Sequence, residues 1–210
     1  MKQSLEFVKT MQKKYSAPHF YLPLRCILDR LEKYIDSTTY EFAINQAFQS
    51  AEAACNNGKS DWFCLTLFIY NLAKIMYLYE EEWDILAQSF IIPPEAINKK
   101  TETYAKNCGL RNTIISYSCY EYLYQVLNYN VNNHLLPPES LYLIRYGKLK
   151  LHSEHNVYDH LLDDYDKGMQ PLLDEFNAYN NMKMDVDVEK LRIKYYTLWK
   201  MFFQNFGLYL

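Results

Sequence analysis

The densest group of side chains that could do chemistry lies in one short stretch of the sequence. It contains two histidines and three aspartates: His155, Asp159, His160, Asp163 and Asp164. Residues four apart on a helix share a face, so His155 and Asp159 would lie on one face and His160 and Asp164 on a neighbouring one. Imidazole and carboxylate at that spacing could chelate a metal ion. The alternative is a solvated acidic helix face, which fits because no apolar stripe turns these side chains inward.

A polar pair inside the most apolar stretch, residues 62–79, is the second candidate. Asn71 and Lys74 lie in its middle, and buried polar groups either bond to partners or line a cavity. The residue types fit both a structural tie and a working site. The same two side chains favour a buried core helix over a membrane span.

The cysteines and the short motifs exclude several common chemistries. The five cysteines form no CxxC pair, which excludes zinc-ribbon and thioredoxin-like motifs. Cys119 has no base beside it in the sequence and is interpreted as an inert core thiol rather than a nucleophile. GxGxxG, P-loop and GxSxG signatures are absent. No secretory signal is visible at the N-terminus, so we expect a reduced, cytoplasmic protein.

Composition predicts the kind of fold that positions these groups. The chain has 210 residues, half of them hydrophobic, and includes 21 Tyr but only 5 Gly and 7 Pro. This suits one all-α domain, residues 1–210, with a sizeable core. A net charge of −3 argues against nucleic-acid and membrane-surface partners, because both require a basic face.

Helical periodicity recurs along most of the chain and predicts nine or ten helices. Pro137-Pro138 should open one of them, and Gly168 should separate two others. Asn56-Asn57-Gly58 is a predicted stop signal, and Ser60-Asp61 a predicted start. The remaining predicted helices cover residues 3–15, 24–35, 40–56, 61–80, 110–129, 156–166, 169–179 and 187–203.

Several motifs, ordered along nearly the whole chain, resemble the myo-inositol oxygenase family. They are AFQSAE at 47–52, DWF at 61–63 with LAK at 72–74, EYLYQ at 121–125, LPPE at 136–139 with IRY at 144–146, DEFN at 174–177, and DVEKLR at 187–192 with YY at 195–196. The resemblance implies an all-α, HD-domain-like helical bundle. It also implies oxygen-dependent ring opening of myo-inositol to D-glucuronate at two non-haem iron ions held by four His and two Asp.

The positions that the resemblance assigns to those iron ligands carry other residues in this chain. They are Gln46, Tyr70, Asn71, Cys119, Gly147 and Asn180. Lys74 matches a substrate-binding lysine of the family, whereas Ala87-Gln88 and Lys148 replace other substrate-binding residues. Iron prefers imidazole and carboxylate ligands, so we expect no iron cofactor, no catalytic residue and an inactive relative. The chain begins near the family's first helix, which predicts that an N-terminal lid is missing.

Three functional hypotheses follow from this comparison. The first is a non-catalytic relative that binds a polyol through Lys74 and the amides of Asn71 and Asn180, or that binds another protein. The second is a working inositol oxygenase with a rebuilt metal site, for example the cluster at residues 155–164. The third is a relict protein with no pocket. No nucleic-acid or membrane partner is expected in any of the three.

Overall fold

The computed structural model describes residues 3–17, 21–35, 40–78, 89–92, 104–149, 158–205 and 207–209. Within these ranges helices dominate, which confirms the predicted all-α bundle. The α-helices are α1 Leu5–Lys14, α2 Leu24–Leu31, α3 Ala43–Asn56, α4 Asp61–Leu72, α5 Cys119–Tyr129, α6 Pro138–Tyr146, α7 Asp164–Asn180 and α8 Val188–Phe202. Short 3-10 segments cover Ala73–Leu78, Leu110–Asn112, Val131–Asn133 and Asp159–Leu161.

A small antiparallel sheet, which the sequence did not predict, joins the segment between α1 and α2 to the last described residues. Strand β1 is Tyr21–Pro23 and β2 is Gly207–Tyr209, with Leu22 opposite Leu208. Gly207 is required here, because a Cβ at this position would lie 2.3 Å from the Leu22 carbonyl oxygen. Both strands lie against α2.

Helix α4 forms the centre of the molecule, as its all-round apolar sequence predicts. Every residue from Phe63 to Leu72 is buried. The Phe68 ring stacks on Phe48 of α3 and on Tyr195 of α8, at centroid distances of 5.3 and 4.7 Å. Within the described ranges, no helix is both long enough and apolar enough to cross a bilayer.

The ends of the first helices differ from the prediction in three places. Helix α2 ends at Leu31 rather than residue 35, and Ile35 instead forms an isolated β-bridge with Phe42. Helix α4 ends at Leu72 and tightens into the 3-10 segment, a common ending for an α-helix. Ser60 occupies the N-cap position of α4, but its side chain makes no capping hydrogen bond.

The stop signal after α3 is confirmed. The helix ends at Asn56, and Gly58 has a φ of +73°, a conformation that strongly favours glycine. This turn sends the chain directly back along α3 as α4, so the two central helices are neighbours in space.

The predicted helix at 110–129 is wrong in its first half, because α5 begins only at Cys119. Before it the backbone bonds to residues 90–92 instead: the Ser116 amide donates to the Phe90 carbonyl at 2.8 Å. Ser118 then caps α5 by accepting from the Glu121 amide at 3.2 Å. The predicted inward residues of α5, Tyr122, Leu123, Val126 and Leu127, are buried.

Gly168 does not separate two helices, which corrects another prediction. Helix α7 runs uninterrupted through Gly168 and Pro171. A capping box between Asp163 and Asp166 stabilises the first turn of α7. A buried stripe then holds it against the core at a helical spacing, through Asp166, Met169, Leu173, Phe176 and Tyr179. The packing of this stripe outweighs the weak helix propensity of the two residues.

Candidate functional site

Asn71, in the last turn of α4, joins three helices at the centre of the bundle. Its side-chain nitrogen lies 3.1 Å from Oδ1 of Asn180, 3.2 Å from the Ser50 hydroxyl and 3.1 Å from the Leu67 carbonyl. Asn71 is only 3% exposed. The amide is therefore a hydrogen-bond donor to groups of the protein itself, on α3, α4 and α7.

Lys74, about one turn further along the chain, makes a second polar contact with α3. Its ammonium donates to the side-chain oxygen of Gln46 on α3, and Lys74 is buried. Ser50, one turn beyond Gln46, donates to the Gln46 carbonyl at 2.8 Å. The facing sides of α3 and of the α4 end are thus joined by two successive polar contacts.

Tyr70 and Gly147 form a second contact between two of the six positions that the family resemblance assigns to iron ligands. These six are called the ligand-matching positions. The Tyr70 ring is fully buried, stacks on Tyr120 at a centroid distance of 4.2 Å, and meets Phe176 edge-on at 5.1 Å. A Cβ at Gly147, the C-cap of α6, would lie 3.1 Å from both the Oη and the Cε2 of Tyr70. The phenol therefore takes up the space that a side chain at position 147 would need.

Cys119 is the first residue of α5 and is fully buried. It directly precedes Tyr120, whose ring stacks on Tyr70. The structure thus brings Asn71 against Asn180, Tyr70 against Gly147 and Gln46 against Lys74, with Cys119 one residue from the tyrosine stack.

The described part of the cluster, residues 158–164, is not one continuous helix, so the helix predicted over residues 156–166 is wrong there. His155 lies outside the described residues, as do Ala87 and Gln88. Asp159 and His160 are exposed on a 3-10 turn, and Asp164 is exposed at the start of α7. Asp163 instead caps α7 and pairs with Arg111 at 3.2 Å. Lys148 is exposed.

In the part of the chain that the structure describes, no three His, Cys, Asp or Glu side chains lie together in an arrangement that could hold a metal ion.

Asp166 is a buried carboxylate that was not among the predicted site residues. It is 3% exposed and accepts hydrogen bonds from the Leu110 amide at 2.8 Å and from the Tyr142 hydroxyl at 3.1 Å. Burial, and then this carboxylate, raise the pKa of Tyr142 above its ordinary value, so the phenol stays protonated and donates. The capping-box spacing of Asp163 and Asp166 was the available signal.

A second missed feature is the buried ion pair between Glu121 and Arg145. The guanidinium donates to both carboxylate oxygens, at 2.8 and 3.0 Å, and lies 4.4 Å from the ring centroid of Tyr124. Glu121 and Arg145 both lie in motifs already quoted, but a sequence cannot show that two motifs are in contact. This pair fixes α5 against α6, next to Cys119 and Gly147.

Asn71→Asp tests whether the amide donates as described. We expect the free energy of unfolding to fall by about 2–4 kcal/mol at neutral pH, because a buried carboxylate would face three acceptors. Urea denaturation followed by circular dichroism measures this. Asn128→Asp, at an exposed position of α5, is the control and should change stability by less than about 0.5 kcal/mol. Equal effects of the two substitutions would contradict the arrangement.

Comparison with known proteins agrees with the motifs. The family model described as Myo-inositol oxygenase matches residues 1–97 and 92–208. The inositol oxygenase of Danio rerio is 28% identical over 226 aligned positions, covering 93% of this chain and 81% of that protein.

Two further relatives show the same similarity. The inositol oxygenase of Dictyostelium discoideum is 32% identical over 192 positions, covering 77% of this chain and 65% of that protein. The human inositol oxygenase is 24% identical over 223 positions, covering 92% and 78%. With a match over nearly its whole length, the chain belongs to the myo-inositol oxygenase family.

Proposed function

We propose that this chain is a non-catalytic member of its family that acts as a binding or regulatory protein. The observation that supports this most is the contact between Asn71 and Asn180, together with that between Tyr70 and Gly147. At these ligand-matching positions the side chains bond to or pack on one another. A centre that holds metal ions would instead direct its donor atoms toward a common cation.

The side chains at the six ligand-matching positions do not fit a pair of iron ions. They supply three carboxamides, a phenol, a thiol and a hydrogen atom. Two iron ions carry at least four positive charges, which require imidazole and carboxylate ligands and compensating negative charge in a buried site. The Asn71 amide presents hydrogens to its neighbours, and a donor group repels a cation. We therefore infer that these six positions support no iron chemistry.

A polyol is the small-molecule ligand that the remaining polar groups suit. Lys74 matches the family's substrate lysine, and ammonium and amide groups bind hydroxyls well. A polyol would exchange the Lys74–Gln46 and Asn71–Asn180 contacts for contacts with its own hydroxyls. A protein partner is the other proposed ligand class, and a net charge of −3 disfavours nucleic acid and anionic membranes.

Family membership favours one second candidate, a working inositol oxygenase. The three relatives described above carry that name. This function would require iron ligands other than the six matched positions.

Iron content and product release decide between the two candidates. Protein expressed in iron-supplemented medium is expected to hold far less than one iron per chain and to release no D-glucuronate from myo-inositol. The Danio rerio inositol oxygenase, prepared identically, is the positive control. About two irons per chain with D-glucuronate release would overturn the proposal.

Thermal unfolding with added myo-inositol tests the polyol. A ligand that binds only the folded state stabilises it by about 2.7 kcal/mol at a hundredfold excess over its Kd, so the melting temperature should rise. Lys74→Met should abolish the rise, whereas Lys190→Met, at an exposed position of α8 outside the matched positions, should not. If the melting temperature of the unsubstituted protein does not rise, a polyol is excluded as the ligand and a protein partner remains.

A further inference from the structure

Two cysteines meet where α3 turns back into α4, away from the ligand-matching positions. Cys55 is the penultimate residue of α3 and Cys64 lies in the first turn of α4, joined by the tight turn at Gly58. Cys64 is fully buried, with its thiol 3.6 Å from the Lys59 carbonyl oxygen, and Cys55 is half-buried. The two side chains lie close enough for Cys55 to raise the pKa of the Cys64 thiol.

A cation from a third helix completes this cluster. The Lys194 ammonium on α8 lies 3.3 Å from the Cys55 sulfur and 2.5 Å from Oε1 of Glu52. Burial works against the charged form of Lys194, but its hydrogen bonds with Glu52 and Cys55 outweigh burial and raise its pKa. The lysine is therefore an ammonium at neutral pH, and an adjacent ammonium stabilises a thiolate.

The two thiols differ in the way that a reactive pair requires. Burial, and then the neighbouring Cys55, raise the pKa of Cys64 to about 12, so Cys64 stays a protonated thiol. Cys55 is the more accessible of the two and is the one in contact with the cation. Accessibility and a neighbouring positive charge distinguish reactive cysteines from inert ones.

We propose that Cys55 and Cys64 form a redox-active dithiol, in which a hydroperoxide oxidises Cys55 and Cys64 resolves the product as a disulfide. The Cys55 thiolate attacks the outer oxygen of the hydroperoxide. An S–O bond forms, the O–O bond breaks, and the alkoxide or hydroxide that leaves takes a proton from water. The Cys64 sulfur then attacks the Cys55 sulfur, so that the S–S bond replaces the S–O bond. The departing hydroxide combines with the Cys64 proton as water. The two thiols supply two electrons, and the hydroperoxide accepts them.

Peptide mapping after treatment of the whole protein with hydrogen peroxide tests this directly. Trypsin cuts after Lys33, Lys59 and Lys74, so Cys55 and Cys64 fall in separate peptides, 34–59 and 60–74, each with one cysteine. We expect these two peptides to appear cross-linked, about 2 Da below their summed mass. Dithiothreitol should release them. Peroxide-dependent cross-links spread evenly over other cysteine pairs, or no cross-link, would overturn the proposal.

Substitutions assign the two roles. In Cys64→Ala the sulfenic acid on Cys55 should persist and react with dimedone, whereas Cys55→Ala should leave position 64 unlabelled. Cys26, half-buried on α2, is the internal reference for non-specific oxidation. Labelling of Cys26 equal to that of Cys55 would contradict the assignment.

The rate of Cys55 oxidation tests the role of Lys194. Lys194→Met should slow Cys55 oxidation by on the order of fivefold, because the thiolate loses its neighbouring cation. Lys190→Met, at an exposed position one turn earlier on α8, should leave the rate unchanged. Equal rates for the two variants would remove Lys194 from the proposal. Circular dichroism spectra must match the parent for these comparisons to count.

Discussion

Gly147→His should destabilise the protein by about 3 kcal/mol, in the range of severe overpacking. A Cβ at position 147 would lie 2.8 Å from the Leu143 carbonyl oxygen and 3.1 Å from the Tyr70 ring. The backbone oxygen cannot move without disturbing α6, and Tyr70 is held between Tyr120 and Phe176. Histidine is one of the two ligand types that the resemblance implies for the six matched positions, yet this core has no room for it at position 147. Urea denaturation measures the loss.

The second half of this experiment asks whether Tyr70 is the obstacle. Tyr70→Ala alone should destabilise by about 3–5 kcal/mol, because it leaves a cavity. Combined with Gly147→His the two losses should not add, with a coupling of about 1–3 kcal/mol, since the imidazole enters the vacated space. Gly168→Ala on the exposed face of α7, where nothing lies within 4 Å of the new Cβ, should instead stabilise by about 0.5–1 kcal/mol. Additive losses would contradict the direct contact.

Arg145→Met should destabilise by about 3–5 kcal/mol, because it leaves the Glu121 carboxylate buried and without its guanidinium. Glu121 is 2% exposed and receives two hydrogen bonds from Arg145. Burial opposes the charged form of Arg145, but Glu121 outweighs burial and raises the pKa of the guanidinium. The guanidinium is therefore charged at neutral pH. Urea denaturation at neutral pH measures the effect.

Two variants separate the ion pair from a general effect of losing a basic residue. Adding Glu121→Gln to Arg145→Met should recover part of the loss, because no buried charge then remains. Lys183→Met removes the exposed partner of Glu41, 2.7 Å away, and should change stability by less than about 1 kcal/mol. A loss for Lys183→Met as large as that for Arg145→Met would contradict the distinction.

The differences between predicted and observed helices share one cause. Residues 113–118 were predicted as helix from their apolar spacing, yet Ile114 and Ser116 there hydrogen-bond to the backbone at residues 90–92. Gly168 was predicted as a break, yet α7 continues because Met169 and Leu173 are buried on its inner face. In both cases contacts distant in the sequence decided between local conformations that differ by about 1 kcal/mol.

The candidate site divides in the same way. The motifs identified the family, and the resemblance assigned seven positions to its ligand and substrate residues, because such an assignment depends on matched residues alone. They could not show that Asn71 donates to Asn180, 109 residues later, or that Tyr70 fills the space beside Gly147. They were equally silent on the contact of Lys194 with Cys55, which lies 139 residues away.

The sequence alone determined the helical class, the central position of α4 and the residues that stand at the ligand-matching positions. These follow from periodicity, composition and identity, which are local properties of the chain. Only the tertiary structure decided which polar groups bond to one another, which carboxylates are buried and which cysteine lies beside a cation. Those properties depend on distances between helices. Close packing of side chains in the core sets these distances, and even a change of one methylene group affects them.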